Sequence, residues 1–178
     1  MREKRILAAL KPQRQDAILE IGFGTGKLLK KLAPLVDQVV GVEIDENLIL
    51  SANQRLRFDN LEVRKGSAEA LPFDEARFDA VVCCYCFHEF SDGAKALAEI
   101  YRVLKPLGRL LVADPSNDYF FGRLFSRLAK DPHWHSMRTF AELRKELLMA
   151  GFIDVIGERY RTKLLFGWQI VEGTKPGK

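Results

Sequence analysis

The chain lacks the long apolar runs and the strong charge bias that would assign it to a membrane or to a nucleic acid. No stretch of about 18 uninterrupted apolar residues is present, which excludes a membrane-spanning helix. Lys and Arg exceed Asp and Glu by only 28 to 24, and this excess is scattered rather than gathered in one stripe. A nucleic acid is therefore not the expected partner.

Signs of a second domain or of a targeting segment are also missing. No internal repeat, low-complexity run or linker divides the 178 residues. A chain of this length can bury about 70% of its unfolded surface, so residues 1–178 are expected to form a single domain. The apolar stretch between the charged residues 2–5 and Lys11 is too short for the core of a signal peptide. We therefore expect a cytoplasmic protein.

Cysteine is scarce, and the three that occur, Cys83, Cys84 and Cys86, lie in one apolar run. Adjacent residues of a strand point to opposite faces, so Cys83 and Cys84 cannot both ligate one metal ion. His133 and His135 lack an evident third ligand, and no metal site is predicted. We interpret the cysteines as small buried apolar residues in a reducing compartment, with thiol chemistry at a binding site as the alternative.

Strand and helix patterns alternate along the sequence. The predicted strands are 17–21, 38–43, 61–65, 78–84, 108–114, 152–159 and 163–172. The predicted helices are 3–10, 26–34, 46–57, 93–105 and 139–150. This alternation is typical of an α/β fold in which helices cover both faces of a parallel sheet. The last two strands are joined by a short connection and must therefore pair antiparallel.

The most informative segment is a strand that runs into a glycine turn and reads Glu20-Ile21-Gly22-Phe23-Gly24-Thr25-Gly26. Glycines permit a tight turn and let the backbone approach a ligand closely. Glu43 follows roughly 20 residues downstream at the end of another strand, where an acid accepts hydrogen bonds from ribose hydroxyls. The two segments together predict a site for an adenosine-like ligand.

The spacing of the glycines argues against a dinucleotide. A dinucleotide fingerprint has its third glycine three residues after the second, where this chain has Lys27. A carboxylate at Glu20 would also repel a pyrophosphate. Both features favour a ligand that carries a cationic amine.

The segment that contains Glu20 and the three glycines resembles the first motif of the class I S-adenosylmethionine-dependent methyltransferases. Three further segments resemble the family in the same order: 39–45, 66–73 followed by 77–82, and 99–112. The resemblance is greatest to the small-molecule group that includes the ubiquinone/menaquinone C-methyltransferases. It implies a Rossmann-like sheet of seven mostly parallel strands in the order 3-2-1-4-5-7-6, with the last strand antiparallel.

The resemblance also implies a cofactor, S-adenosylmethionine, and a set of residues that bind it. These residues are Glu20, Gly22, Phe23, Gly24, Thr25, Gly26, Glu43, Ile44, Ser67, Ala68, Glu69 and Cys84. Cys84 would contact the methionine portion, and Ser67 and Ala68 would flank the adenine. The family often has Asp at the position of Ser67, so a weaker or water-mediated contact with the adenine amino group is expected here.

Methyl transfer would proceed by in-line displacement, in which the enzyme mainly aligns the acceptor with the methyl group. His88 and Tyr85 are the candidate catalytic residues because they follow the fourth strand. A general base is needed only for an acceptor that is protonated at the working pH, and His88 is then the best candidate. The alternatives are that His88 only holds its turn and that Tyr85 only packs.

The segment 115–137 is an aromatic insert of undetermined role. Phe121, Leu124, Phe125 and Leu128 fall on one helical stripe, which indicates either core packing or a lid over the acceptor. The short N-terminal region predicts an active site that is open or covered by a second subunit, so a homodimer is possible.

Three other functions remain open at this point. An RNA methyltransferase is disfavoured because no Asn or Asp followed by Pro-Pro and an aromatic residue stands after the fourth strand. A nicotinamide-dependent oxidoreductase is disfavoured by the glycine spacing and by Glu20. The third is a non-catalytic subunit that binds the cofactor and supports a partner.

Overall fold

The architecture is a single seven-stranded sheet with helices on both sides. A computed structural model describes residues 2–118, 137–161 and 167–177. The strands are β1 (Ala17–Ile21), β2 (Gln38–Glu43), β3 (Leu61–Lys65), β4 (Phe78–Cys84), β5 (Leu104–Ser116), β6 (Ile153–Arg161) and β7 (Gly167–Thr174). The helices are α1 (Arg2–Leu10), α2 (Leu29–Leu32), α3 (Glu46–Arg55), α4 (Gly93–Val103) and α5 (Phe140–Met149).

The strand order is β3-β2-β1-β4-β5-β7-β6, which confirms the order that the family resemblance implied. β1 lies between β2 and β4 and pairs in parallel with both. The strands that follow β1 in sequence are therefore placed first on one side of it and then on the other. β7 pairs antiparallel with β5 and with β6. Because the order reverses beside β1, the carboxyl ends of β1, β2 and β4 border a crevice, which is where open α/β sheets bind ligands.

Two apolar clusters lie on the two faces of the sheet. Leu19 and Val81 face the cluster that includes α4 and α5, whereas Ile18 and Val82 face the cluster that includes α1, α2 and α3. Each of these four side chains is fully buried. The expected α/β sandwich, with helices on both faces, is therefore confirmed.

Side-chain caps fix the starts of three helices. Asp45 accepts a hydrogen bond from the backbone amide of Asn47 at the start of α3, and Asp92 accepts one from Lys95 at the start of α4. α5 begins with a capping box between Thr139 and Glu142. Such caps satisfy amides that have no partner within the helix. Each cap therefore marks the residue at which the preceding loop ends and the helix begins.

Two elements differ in length from the sequence prediction by more than two residues. The helix expected at 26–34 is only Leu29–Leu32, followed by a 3-10 turn at Ala33–Leu35. Gly26 is left-handed and Pro34 cannot donate an amide hydrogen bond, so the α-helix is confined between them. β5 runs from Leu104, directly after α4, to Ser116, and is longer than the expected 108–114.

Part of the predicted insert lies outside the described residues. This applies to Phe121, Leu124, Phe125 and Leu128, to His133 and His135, and to the start of the predicted strand 163–172. The role of the apolar stripe therefore stays a prediction. No helix in the described ranges is long and apolar enough to span a membrane.

Candidate functional site

The glycine loop after β1 has the geometry that its sequence predicts. Gly22, Gly24 and Gly26 adopt φ values of +65°, +51° and +70°, a region that other L-residues rarely occupy. A Cβ atom at Gly22 would lie 2.6 Å from Cβ of Cys86, whereas one at Gly24 would meet no atom within 4 Å. Gly22 is therefore needed for close packing, and Gly24 exposes bare backbone to open space.

Glu43, at the end of β2, is hydrogen-bonded to this loop. Its Oε2 accepts from the backbone amide of Gly24 at 3.0 Å, and its Oε1 accepts from the amide of Ile44 at 2.8 Å. A carboxylate offers about four acceptor positions, so capacity for further donors remains. The acid thus supports the loop and can still receive hydroxyl groups from a ligand.

On one side of the loop lies a cleft of about 320 Å³, which we call the β2 cleft. Eight of the residues predicted to form the site line it: Gly22, Gly24, Glu43, Ile44, Ser67, Ala68, Glu69 and Tyr85. The sequence analysis did not identify Leu48, Phe90 and Ser91, which also line it. Leu48 lies in the first turns of α3, a few residues after Glu43, and this closeness in sequence could have indicated it.

On the other side of the loop lies a second cleft, of about 440 Å³, which we call the β1 cleft. The predicted residues that line it are Glu20, Gly22, Phe23, Gly24, Thr25, Cys84 and Tyr85. Glu3 and Lys27 line it too and were not predicted. Gly22, Gly24 and Tyr85 line both clefts, so the two spaces meet at these residues. Gly26 and His88 line neither cleft.

Glu20 is a buried acid in the wall of the β1 cleft. Only 2% of the residue is exposed, and its Oε2 has no hydrogen-bond partner. Burial raises the pKa of Glu20 to about 8, against the effect of a hydrogen bond from the Leu29 amide, and Glu43 adds repulsion. The group is therefore largely neutral at pH 7, and a cationic amine in the cleft would favour its charged form.

His88 and Asp114 form a buried pair behind the cleft walls. His88 Nδ1 lies 3.0 Å from Asp114 Oδ1, and the His88 backbone amide donates to Asp114 Oδ2 at 3.0 Å. Burial disfavours the charged imidazole most strongly, but the hydrogen bond to Asp114 and the negative charges of Asp114 and Glu89 together outweigh it, and the pKa of His88 is raised. Burial also raises the pKa of Asp114. The pair joins the turn after β4 to β5, and a catalytic role for His88 stays a prediction.

Tyr85 has a constrained position at the junction of the two clefts. Its φ is +64°, and its backbone amide donates to the carbonyl of Ala113 at 2.8 Å. Its ring stacks on that of Trp168 with centroids 5.3 Å apart and meets the His88 ring edge-on at 5.1 Å. Trp168 is a partner that the sequence analysis missed, because nothing in the sequence relates β7 to this turn.

The cysteines are distributed as the strand alternation predicts. Cys83 belongs to the apolar cluster of α4 and α5, whereas Cys84 packs against the opposite cluster and lines the β1 cleft. The Cys86 thiol donates to the carbonyl of Ile21 at 3.1 Å. Within the described ranges, no three His, Cys, Asp or Glu side chains are grouped so that they could hold a metal ion.

Comparison with known proteins identifies a family. Residues 19–112, about half of the chain, match the family described as methyltransferase domain. The ubiquinone/menaquinone biosynthesis C-methyltransferase UbiE of Escherichia coli is 37% identical over 109 residues, which are 57% of this chain and 43% of UbiE. YcgJ, an uncharacterized methyltransferase of Bacillus subtilis, is 37% identical over 103 residues, 56% of this chain and 41% of YcgJ. These matches span less than half the length of either relative.

Solved structures share the fold over nearly the whole chain. The crystal structure of YcgJ gives a TM-score of 0.83 at 20% identity and covers 99% of this chain and 98% of that one. Phosphoethanolamine N-methyltransferase 2 of Haemonchus contortus, in complex with S-adenosyl-L-methionine, gives 0.85 at 18% identity and covers 98% of this chain and 52% of its own. At such identities the likeness establishes the fold.

Proposed function

Since the chain belongs to the family of methyltransferase domains, we propose that it transfers a methyl group from S-adenosylmethionine to a small-molecule acceptor by in-line displacement. One observation carries the proposal. An open glycine loop lies between two acids, Glu43 hydrogen-bonded to it on one side and Glu20 buried on the other. That arrangement matches a ligand with ribose hydroxyls at one end and an ammonium group at the other.

The residues present fit this cofactor. The adenosine portion would lie in the β2 cleft, with Glu43 beside the ribose and Ile44, Ser67 and Ala68 beside the adenine. The methionine portion would lie in the β1 cleft, where the unpartnered oxygen of Glu20 suits its ammonium. Gly24 leaves room for the ligand because no atom lies where its Cβ would be. Thr25, Phe23 and Cys84 complete the wall, and the bound sulfonium supplies the methyl group.

Tyr85 is proposed to align the reaction. Because it lines both clefts, it lies where the two portions of the cofactor would join. Its stack on Trp168 and its backbone bond to Ala113 hold it in one place. Positioning of this kind can contribute an effective molarity of up to about 10⁵ to 10⁸ M. Tyr85 therefore acts mainly by orienting the acceptor and excluding water.

His88 is proposed to receive a proton when the acceptor carries one. Asp114 stabilises the imidazolium form, so the pair can hold the proton that the acceptor loses. His88 is only 3% exposed and lines neither cleft, but Glu89 lines the β2 cleft and its Oε1 lies 3.8 Å from His88 Nε2, so the proton would reach His88 through Glu89 or a water molecule. For an acceptor that is already unprotonated, the pair serves only to hold the turn.

Binding measurements with three compounds and one activity measurement test the proposal. Calorimetry should detect binding of S-adenosylmethionine and S-adenosylhomocysteine but not of NAD. Incubation with methyl-labelled S-adenosylmethionine and a metabolite extract should then yield a labelled small molecule. If the label appears only in an RNA fraction, the acceptor is RNA and not a small molecule. Binding of NAD alone would refute the proposal in favour of an oxidoreductase, and cofactor binding without any labelled product would favour a non-catalytic subunit.

The proposal also covers the domain organisation, location, partners and assembly of the chain. We propose that residues 1–178 act as one domain, in the cytoplasm, with no nucleic acid as partner and with a homodimer as the possible assembly. Light scattering at several protein concentrations measures the assembly directly. A mass equal to one chain at all concentrations would exclude the homodimer and leave the methyl transfer unaffected.

A further inference from the structure

Glu89 places a carboxylate in the β2 cleft that has no part in the proposed binding of the cofactor. It ends the 3-10 turn Phe87–Glu89 and lines the cleft. Its side chain is 55% exposed, and its Oε1 lies 3.8 Å from Nε2 of His88, which is an ion-pair distance. Glu89 therefore faces the cleft and His88 at the same time.

His88 lies between two carboxylates. Asp114 Oδ1 is 3.0 Å from Nδ1, and Glu89 Oε1 is 3.8 Å from Nε2. Because Asp114 accepts the hydrogen on Nδ1, the lone pair of the neutral ring is on Nε2, the nitrogen that faces Glu89. The three side chains thus form a path for one proton from the cleft to the buried pair.

Acidic side chains predominate in both clefts. Among the described residues that line them, the charged ones are the acids Glu3, Glu20, Glu43, Glu69 and Glu89 and the base Lys27. S-adenosylmethionine carries a single net positive charge, so its binding does not balance this surplus. A cleft lined mainly by one sign of charge concentrates ligands of the opposite sign. The surplus therefore favours a cationic acceptor over an anionic one.

The ring of Tyr85 is a second feature that suits a cation. Tyr85 lines both clefts, so it lies where the acceptor would meet the cofactor. The residue is 38% exposed, although its ring stacks on Trp168 and meets the His88 ring edge-on. The face of an aromatic ring attracts a cation. Because His88 lies beside both Tyr85 and Glu89, the ring and the carboxylate belong to one part of the site.

We propose that the acceptor is an amine that is protonated near neutral pH, bound between the ring of Tyr85 and the carboxylate of Glu89, and that its proton leaves through Glu89. The inference rests on the proposed function, because it requires the cofactor in the two clefts. It names the class of acceptor that the charges of the clefts and the position of His88 fit.

The nitrogen must lose one proton before it can attack, because an ammonium group has no lone pair. Glu89 takes that proton and passes it to Nε2 of His88, where Asp114 stabilises the imidazolium. The freed lone pair then forms the N–C bond while the C–S bond of the sulfonium breaks. The products are the N-methylated ammonium and S-adenosylhomocysteine, and the proton on His88 returns to solvent.

The first experiment divides a metabolite extract by charge. Ion exchange near neutral pH gives cationic, neutral and anionic fractions, and each is incubated with the wild-type chain and methyl-labelled S-adenosylmethionine. We expect the cationic fraction to yield at least about tenfold more labelled product than either of the others, with the methyl group on nitrogen. The yield should fall as salt is added, because salt screens the attraction between an exposed carboxylate and a cation.

Glu89→Gln keeps the size of the side chain and removes its charge. With the cationic fraction, we expect the initial rate of methyl transfer to fall at least about tenfold, and Glu89→Asp, which keeps the charge, to retain more of it. Affinity for S-adenosylhomocysteine should change by less than about threefold in both variants. Glu75→Gln is the matched control, because Glu75 is an exposed carboxylate that lines neither cleft.

A measurement without turnover tests the contact between Glu89 and His88. The charged groups that face this imidazole are Asp114 in β5, Glu89 in the same turn and Arg138 just before α5. Glu89→Gln removes one of the two negative charges, so NMR titration should show a lower pKa of His88 than in the wild-type chain. Glu75→Gln should leave this pKa unchanged.

The outcomes separate this inference from the proposed function. Label that appears only with the neutral or the anionic fraction, or a methyl group on carbon or oxygen, would overturn the amine and leave methyl transfer standing. An unchanged rate in Glu89→Gln with the cationic fraction, or an unchanged pKa of His88, would overturn the role of Glu89. A chain that binds S-adenosylhomocysteine but labels no fraction would refute the inference together with the proposed catalysis.

Discussion

The carboxylate of Glu43 accepts a hydrogen bond from the backbone amide of Gly24 at 3.0 Å. This bond joins the end of β2 to the loop after β1, two strands that are neighbours in the sheet. It also means that the acid has two functions, since the same carboxylate supports the loop and faces the β2 cleft. Substitutions at the two residues should therefore have different effects on binding and on folding.

Gly24→Arg should abolish cofactor binding and leave a folded chain. No atom lies within 4 Å of a Cβ atom at this position, so the new side chain would project into the space of the clefts rather than into the core. A positive φ costs a non-glycine residue roughly 1 to 2 kcal/mol, so some stability is lost. We expect affinity for S-adenosylhomocysteine to fall at least about 100-fold by calorimetry.

Gly24→Ala separates obstruction from backbone strain. It carries the same strain as Gly24→Arg but adds only a methyl group. Its melting temperature should match that of Gly24→Arg, while its affinity should fall less than that of Gly24→Arg. Equal loss of affinity in the two variants would assign the effect to the backbone, and unchanged affinity in Gly24→Arg would contradict the location of the site.

Glu43→Ala should weaken cofactor binding by about 1.5 to 3 kcal/mol, the usual contribution of a hydrogen bond to a charged group. This corresponds to a loss of roughly 10- to 150-fold in affinity. Stability should fall as well, because the Gly24 and Ile44 amides lose their acceptor. Glu46→Ala is the matched control, since Glu46 lies three residues away but bonds only Lys65 among the contacts described. Equal affinities in the two variants would contradict a role for Glu43 in ribose binding.

Much of this site could be predicted from sequence because its parts are local. The glycine loop and Glu43 each lie at the end of an apolar strand, the Ser67 turn follows the mixed strand β3, and the carboxyl ends of neighbouring parallel strands meet at one edge. Trp168 could not be predicted, because its contact with Tyr85 depends on how an antiparallel strand from the end of the chain enters the sheet. Glu3 was missed for a similar reason, since it reaches the β1 cleft only through the packing of α1.

His88 illustrates a second limit of sequence reasoning. Its position after β4 predicts that it faces the acceptor, but the chain forms a 3-10 turn at Phe87–Glu89 that leaves the ring buried against Asp114. Asp114 is one of several polar residues near the carboxyl ends of the strands, and no rule of sequence spacing relates it to His88. The pair could be found only from the three-dimensional structure.

Glu20→Gln should change how stability depends on pH. The pKa of Glu20 is about 8 in the folded chain and near 4.5 when exposed, so between these values the folded state holds a proton that the unfolded state has released. The unfolding free energy of the wild-type chain should therefore fall as pH rises through this window, by up to about 1.4 kcal/mol per pH unit from this group. Glutamine cannot titrate, so the variant lacks this component.

Urea denaturation of both chains at pH 5.5 and 7.5 measures the difference. Glu20→Gln should gain stability relative to wild type at the higher pH, because other titrating groups are shared and cancel. A difference that is the same at both pH values would contradict a raised pKa. The same substitution should weaken cofactor binding if the ammonium group needs the charge of Glu20.

The role of His88 can be decided by the pH dependence of turnover at saturating cofactor, once an acceptor is known. If His88 receives a proton from the acceptor, kcat should rise as pH increases through the raised pKa of His88, because only the neutral imidazole can accept. Asp114→Asn removes the negative charge that raises this pKa, so the midpoint of the profile should move to lower pH. His88→Gln should lower kcat by about 10² to 10⁴ while leaving cofactor affinity unchanged. If the pair only holds the turn after β4, Asp114→Asn should reduce stability but leave the midpoint of the kcat profile where it is in the wild-type enzyme.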